Sequence, residues 1–370
     1  MGLGKIKQLF NSDVESLFAA NTQVLGLDIG SSAIKLVQIK EVKGTYILQK
    51  LGYKPLEAEA IVDGTVMNPG RVVATIKDLI QENGVKLKNV ALSISGHSVI
   101  VKKISLPPMP DAELEGQVKL AAEQYIPFDI NEVNLDFHVL NPNEMTEDGE
   151  AQVAVLLVAA KKDKVNELTE LVVGAGLKPV IVDVDAFAVE NMYGVNYDVK
   201  SDEITALVNI GASVMNINIL NTGTSVFTRD ISVGGNRYTE AVQREMGMPF
   251  ERAESVKKGS KGKRLDDESV ASVIEGVNAE VASEIARTVD YFKSTGADVE
   301  IDKILICGGC ARIDGLVEQL SDRMGVSVEL ANPFHRIDTT EGDFDESLLT
   351  DFAPQASVGV GLALRTIGDR

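Results

Sequence analysis

The chain has 370 residues, with 36 Lys and Arg against 55 Asp and Glu, a formal net charge of −19, 44% hydrophobic residues and two cysteines. A chain of this length divides into about two to three domains, buries enough surface to need no disulfide or metal staple, and is too apolar to be disordered. The acidic balance excludes nucleic-acid backbone binding as the main task, and the cysteine usage fits a reducing, cytoplasmic compartment rather than a disulfide framework.

Residues 1–21 place Leu3, Ile6, Leu9, Phe10, Val14, Leu17 and Phe18 at helical spacing. This suits either an interfacial or partner-binding helix or one that packs on its own domain. The segment lacks a secretory h-region, and no stretch approaches the roughly 18 apolar residues of a membrane span. A strand at Val24–Ile29, a small-residue turn at Gly30-Ser31-Ser32, and strands at Ile34–Ile39 and Tyr46–Leu51 form an expected meander. An amphipathic helix follows over Asn68–Asn83, then a strand at Val90–Ser95.

A second module reads strand Val99–Leu106, helix Asp111–Tyr125 with Asp111 as N-cap, strands Asn134–Leu140 and Gln152–Ala159, and helix Lys162–Val173. This is a β-α-β-β-α insertion. Strand Val180–Val184 and helix Ala186–Tyr193 resume the first pattern. A third unit has strands Ile204–Ile210, Val214–Leu220 and Thr224–Ser232, then a helix over Asn236–Met246. Lys257–Ser269 reads as a charged surface loop or frayed helix end. Val270, Ile274, Val277, Val281, Ile285, Val289 and Phe292 then form one apolar stripe on a long helix stopped at Gly296. Strand Lys303–Cys307, a Gly308-Gly309 turn, helix Leu316–Met324, an acidic loop Thr339–Asp351 and a closing helix Ser357–Thr366 complete the chain.

Self-similarity is the strongest signal. Leu25–Ile39 aligns without gaps on Ala206–Leu220, so Asp28 matches Asn209, Gly30 matches Gly211, Ser32 matches Ser213 and Lys35 matches Asn216. Each copy opens a three-strand meander followed by a helix, as in two homologous halves. Each glycine-serine turn alone reads equally as a plain hairpin or as a concave anion seat of backbone N–H groups and hydroxyls. As a pair on opposite walls, Gly30-Ser31-Ser32 and Gly211-Ala212-Ser213 can grip one nucleotide's phosphates. Asp28 suits hydrated Mg²⁺, which takes only one or two carboxylates, and Lys35 suits a terminal phosphate. The apolar strand ending in Gly308, Gly309, Cys310 and Ala311 can lie flat against a planar ring. Glu254 and Lys257 share one helix face, either as a solvated ion pair or as partners of ribose and base.

Cys307 and Cys310 form a C-x-x-C without the further ligands that zinc needs, and read as a buried turn. His97, His138 and His335 show no metal or triad spacing, and the basic run Lys257, Lys258, Lys261, Lys263 and Arg264 reads as a solvated loop. Neither a P-loop nor a G-x-S-x-G elbow is present.

Together these motifs resemble the actin-like ATPase superfamily, and more closely its PilM family of type IV pilus assembly proteins, with the FtsA family next. The resemblance runs from about Thr22 to Ile367. It implies an α/β, ribonuclease H-like duplicated, two-lobed fold with an FtsA/PilM-type inserted subdomain. The implied bounds are an N-terminal segment 1–21, a first-lobe core at 22–98 and 179–203, the insertion at 99–178, a second-lobe core at 204–235 and 297–370, and an accessory helical part at 236–296. It further implies ATP and Mg²⁺ as ligands, and Asp183–Ala188 and Gly359–Ala363 as connecting segments. The implied partner is the N-terminal cytoplasmic tail of a PilN-like bitopic inner-membrane protein, so the chain is expected at the membrane periphery. Other pilus platform proteins and self-association are left open. The family's second phosphate loop usually carries Asp where this chain has Asn209, which cannot take a proton from an attacking water. Asp183 or Asp185 can polarise water instead, although Asp185 serves equally as a helix N-cap. The expectation is ATP binding with slow or no turnover. The alternatives are a working ATPase or phosphotransferase, which Asn209 opposes, and an FtsA-like filament protein, which relies on a C-terminal amphipathic helix that 365–370 does not supply.

Overall fold

Residues 25–55 hold short apolar runs broken at Gly30-Ser31-Ser32 and Lys43-Gly44, and they fold as the expected antiparallel meander: β1 (Leu25–Ile29), β2 (Ala33–Val42) and β3 (Thr45–Pro55). The computed structural model describes residues 23–62, 64–145, 148–259, 268–295, 299–342 and 344–368. The N-terminal helix, the Lys261–Arg264 part of the basic run and the stop at Gly296 lie outside the described residues.

After the meander come a small hairpin, β4 (Ile61–Val62) with β5 (Thr65–Val66), and helix α1 (Pro69–Glu82). The Asn68 side chain accepts from the Arg71 N–H at 3.1 Å and Pro69 opens the helix, a standard start that turns Val72, Ile76 and Leu79 inward. Strand β6 (Asn89–Ile94) runs parallel to β1, and a short 3-10 turn, Gly96–Ser98, leads into β7 (Val99–Leu106). Helix α2 (Asp111–Tyr125), β8 (Val133–Met145) and β9 (Ala151–Lys161) follow. The antiparallel sheet β7-β9-β8 packs one face on α2, through Ile104, Leu106, Val155 and Leu157 against Leu114, Val118 and Ala122. Pro110, not Asp111, occupies the cap position of α2; Asp111 is the first helical residue.

Helix α3 (Lys162–Gly174), β10 (Lys178–Val184) and α4 (Asp185–Asn196) return the chain to the first sheet. The second lobe is built from β11 (Ile204–Ile210), β12 (Met215–Asn221), β13 (Thr224–Ile231), α5 (Gly235–Met246), α6 (Phe250–Lys257) and α7 (Glu268–Ser294). The chain then runs through β14 (Lys303–Cys307), α8 (Leu316–Met324), β15 (Ser327–Leu330), α9 (Glu346–Phe352) and α10 (Ser357–Ala363), the last packed against β1 and α4. All seven apolar stripe residues of α7 are buried.

The two large sheets have one topology: β10-β6-β1-β2-β3 and β15-β14-β11-β12-β13, each an antiparallel meander extended by two parallel strands. Ladder register agrees residue by residue, because Asp28 faces Lys35 and Asn209 faces Asn216. α4 and α10 pack in a central core with Val37 of the first sheet and Leu207 and Leu305 of the second. Glycines permit this closeness: a Cβ on Gly361 would lie 1.7 Å from the Ala188 carbonyl oxygen, and one on Gly26 would lie 2.2 Å from that of Gly359. α10 stops at Ala363 rather than Thr366, which instead forms a bridge with Gln23. Among the described residues no helix is long and apolar enough to cross a membrane.

Candidate functional site

The two duplicated turns close in the same way. Gly30 N–H donates to Ala33 O at 3.1 Å, and Gly211 N–H donates to Val214 O at 2.9 Å. Both turns line one cavity of about 1640 Å³. Gly30, Ser31 and Ser32 from the first turn and Gly211, Ala212 and Ser213 from the second are all among its lining residues. Lys35 Nζ reaches Asp28 Oδ2 at 3.0 Å, and the two side chains are only 14% and 13% exposed. Burial alone would lower the Lys35 pKa, but the charge and hydrogen bond of Asp28 outweigh it, so the ammonium titrates above its ordinary value.

Asn209 and Asn216 occupy the matching positions of the second lobe, where Asn209 Nδ2 donates to Asn216 Oδ1 at 2.9 Å. An ion pair in one half is thus an amide pair in the other. Gly308, at φ +91°, must be glycine, since a Cβ would lie 2.4 Å from Ile210 O and 2.6 Å from Asn209 Oδ1. At Gly309, on the same cavity wall, an added Cβ would meet nothing within 4 Å. Ala311, expected beside the ring from sequence, is fully buried and does not line the cavity.

Glu254 and Lys257 are not a solvated pair. Lys257 Nζ lies 2.5 Å from Glu254, donates to Gly235 O at 3.1 Å and to Thr239 Oγ1 at 2.9 Å, and its side chain is nearly buried. Burial would raise the Glu254 carboxyl, but Lys257 outweighs it and holds it below its ordinary value. This cluster ties α6 to the start of α5 beside the second turn.

The two aspartates of the connecting segment part company. Asp183 is buried and paired with Arg365, and it does not line the cavity. Asp185 opens α4 without capping it and lines the cavity, where the Ser93 hydroxyl donates to its Oδ1 at 2.5 Å. Burial, then the negative charges of Asp28 and Asp230, push its carboxyl up to about 6 against the hydroxyls of Ser93 and Ser95.

Ser93, Ser95 and Tyr53 also line the cavity, and Asp230 stands behind it. None stands out from sequence. Tyr53 pairs in register with Lys35 as Asp230 does with Asn216, but the β2–β3 hairpin is longer than its counterpart, so a gapless alignment ends before reaching them. Cys307 and Cys310 are free, buried thiols, and burial pushes Cys307 up to about 12, so neither has thiolate character. Among the described residues no three His, Cys, Asp or Glu side chains cluster to hold a metal by themselves.

The family model for the type IV pilus assembly protein PilM matches residues 26–367. The chain belongs to the PilM family. A solved PilM–PilN type IV pilus biogenesis complex is 30% identical, with a TM-score of 0.81 over 92% of this chain and 98% of that one. The ethanolamine utilization protein EutJ from Carboxydothermus hydrogenoformans is 16% identical, with a TM-score of 0.53 over 93% of this chain and 89% of that one. MreB5 of Spiroplasma citri bound to ADP is 14% identical, with a TM-score of 0.52 over 92% of this chain and 95% of that one. At such identities the last two speak for fold alone, and that fold is the two-lobed actin-like ATPase fold.

Proposed function

We propose that this PilM-family chain is an ATP-binding cytoplasmic scaffold that engages the N-terminal tail of a PilN-like inner-membrane protein. The observation that carries the nucleotide half is the pair of equally closed hairpin turns on the walls of one cavity. A triphosphate fits the donor set: Gly30, Ser31 and Ser32 face Gly211, Ala212 and Ser213, with Lys35 as the point charge for a terminal phosphate. Glu254, oriented by Lys257, would accept from ribose hydroxyls, and the bare backbone of Gly308 and Gly309 would seat the base. Mg²⁺ fits through Asp28 and water, since magnesium keeps several waters and rests largely on phosphate oxygens, which suits a cleft without a ready-made carboxylate cage. Bound there, magnesium would neutralise phosphate charge and order its waters toward Asp28, Asp185 and Asn209.

Asn209 can orient such a water but cannot take its proton, and Asp185 is held by Ser93, so turnover is slow or nil. We place the PilN-like tail in a groove beside the three-stranded subdomain, which we bound at 99–178. Peripheral attachment to the inner membrane follows from that partner. Support for the partner half is membership of a family with a solved PilM–PilN complex.

Two titrations test the reading. Wild type binds ATP in a Mg²⁺-dependent way and Asp28→Ala does not; micromolar affinity retained in the variant overturns the site as drawn. A peptide of the PilN tail type binds the full chain more tightly with MgATP present. No peptide binding in either state overturns the scaffold half, and steady phosphate release at saturating ATP would favour an enzyme.

A further inference from the structure

We propose that Asp230 is a positioning residue that fixes the Asn209 side chain as a hydrogen-bond acceptor for the magnesium-bound water of a bound triphosphate. The inference rests on the nucleotide reading above. Asp230 lies on β13, outside the cavity wall, opposite Asn216 in the ladder. Its Oδ1 accepts from Asn216 Nδ2 at 2.7 Å, and its Oδ2 accepts from the N–H of Gly96.

Both carboxylate oxygens therefore face donors, and an ionised carboxylate has nothing to donate. That fact propagates along the chain of amides. Asn216 must turn its NH₂ toward Asp230, so its Oδ1 is left for Asn209. Asn209 must then turn its NH₂ toward Asn216, which it does at 2.9 Å. Its own Oδ1 is left on the cavity side, beside Gly308. An unconstrained asparagine offers either a donor or an acceptor. Here a half-buried charge two strands away selects the acceptor.

The duplicated half explains why this matters. In the first lobe the strand positions read Asp28, Lys35 and Tyr53; in the second they read Asn209, Asn216 and Asp230. The carboxylate has moved from the first strand to the third, and two amides carry its acceptor polarity back to the cleft. A neutral oxygen at the phosphates receives a hydrogen bond from a metal-bound water without removing its proton, which favours occupancy over hydrolysis.

The test is a set of ATP titrations on the full chain with Mg²⁺ and with EDTA. Asp230→Asn makes all three groups amides, so the polarity of the chain is no longer imposed. The gain in affinity on adding Mg²⁺ should fall about tenfold while affinity in EDTA stays at the wild-type level. The double variant Asn209→Asp with Asp230→Asn reverses the chain. The carboxylate introduced at position 209 accepts from Asn216, Asn216 accepts from the amide introduced at position 230, and an acceptor oxygen returns to the cleft. This variant should restore the magnesium gain to within about threefold of wild type. A wild-type magnesium gain in Asp230→Asn, or a double variant no better than it while both melt cooperatively, overturns the relay and leaves nucleotide binding intact. A wild-type chain that binds no MgATP overturns the nucleotide reading itself, and the relay with it.

Discussion

Glu190 shows how a residue outside the cavity sets a measurable property of the chain. It lies on α4, where its Oε1 accepts from Ser225 N–H at 3.3 Å and its Oε2 from Asn218 Nδ2 at 3.5 Å. Burial, and secondarily the charge of Asp183, push its carboxyl up to about 7 against those two donors. The folded chain therefore holds this proton more tightly than the unfolded chain does. The associated stability is complete below the ordinary carboxylate range and is lost as pH rises through about 7. Its full size is on the order of 3 kcal/mol. Glu190→Gln should raise the denaturation midpoint at pH 8 and reduce the fall between pH 5 and pH 8. Parallel curves for variant and wild type would show that Glu190 carries no such linkage. Asp28, Gly30, Asn209 and Gly211 are legible in the sequence at this scale, because strand-turn-strand chemistry is local. Ser93, Tyr53 and Asp230 are not, because strand pairing and hairpin length alone bring the first two to the cleft and the third behind it.

Among the elements, the tightest constraint is on α10. Gly361 faces Ala188 of α4 so closely that a methyl group would overlap its carbonyl oxygen, so Gly361→Ala must push two central helices apart. The cost expected is about 3 kcal/mol, at the upper end for overpacking, despite the better helix propensity of alanine. A melting temperature unchanged from wild type would mean that α4 and α10 slide freely. Long periodic elements such as α1 and α7 can be read from sequence almost to their ends, because one buried stripe specifies a helix. The elements that escape such a reading are those in which local pattern is thin. β15 buries only Val328, and β4 and β5 are two residues each. α9 starts inside the acidic loop expected from sequence, although it carries a start signal: the Asp345 side chain accepts from Ser347 N–H at 2.7 Å, just ahead of Glu346 in the first turn.

For the whole molecule, the duplication does more than repeat a fold. Equivalent turns end up on one cavity while α4 and α10 fill the core behind them, so the two sheets share a centre. Contacts beside the cavity tie the halves further: Asp230 to Gly96, and His97 Nε2 to Ser232 Oγ at 2.8 Å. The Gly96–Ser98 turn leads directly into β7 of the inserted subdomain. The same turn therefore touches the second sheet's third strand and opens the inserted subdomain. A nucleotide shared by the two turns would be seen in a crystal structure of the full chain with Mg²⁺ and a non-hydrolysable ATP analogue. One triphosphate should then lie within hydrogen-bonding distance of backbone N–H groups in both 30–32 and 211–213. A triphosphate held by one turn alone, or seated elsewhere in the molecule, would contradict the clasp between duplicated halves.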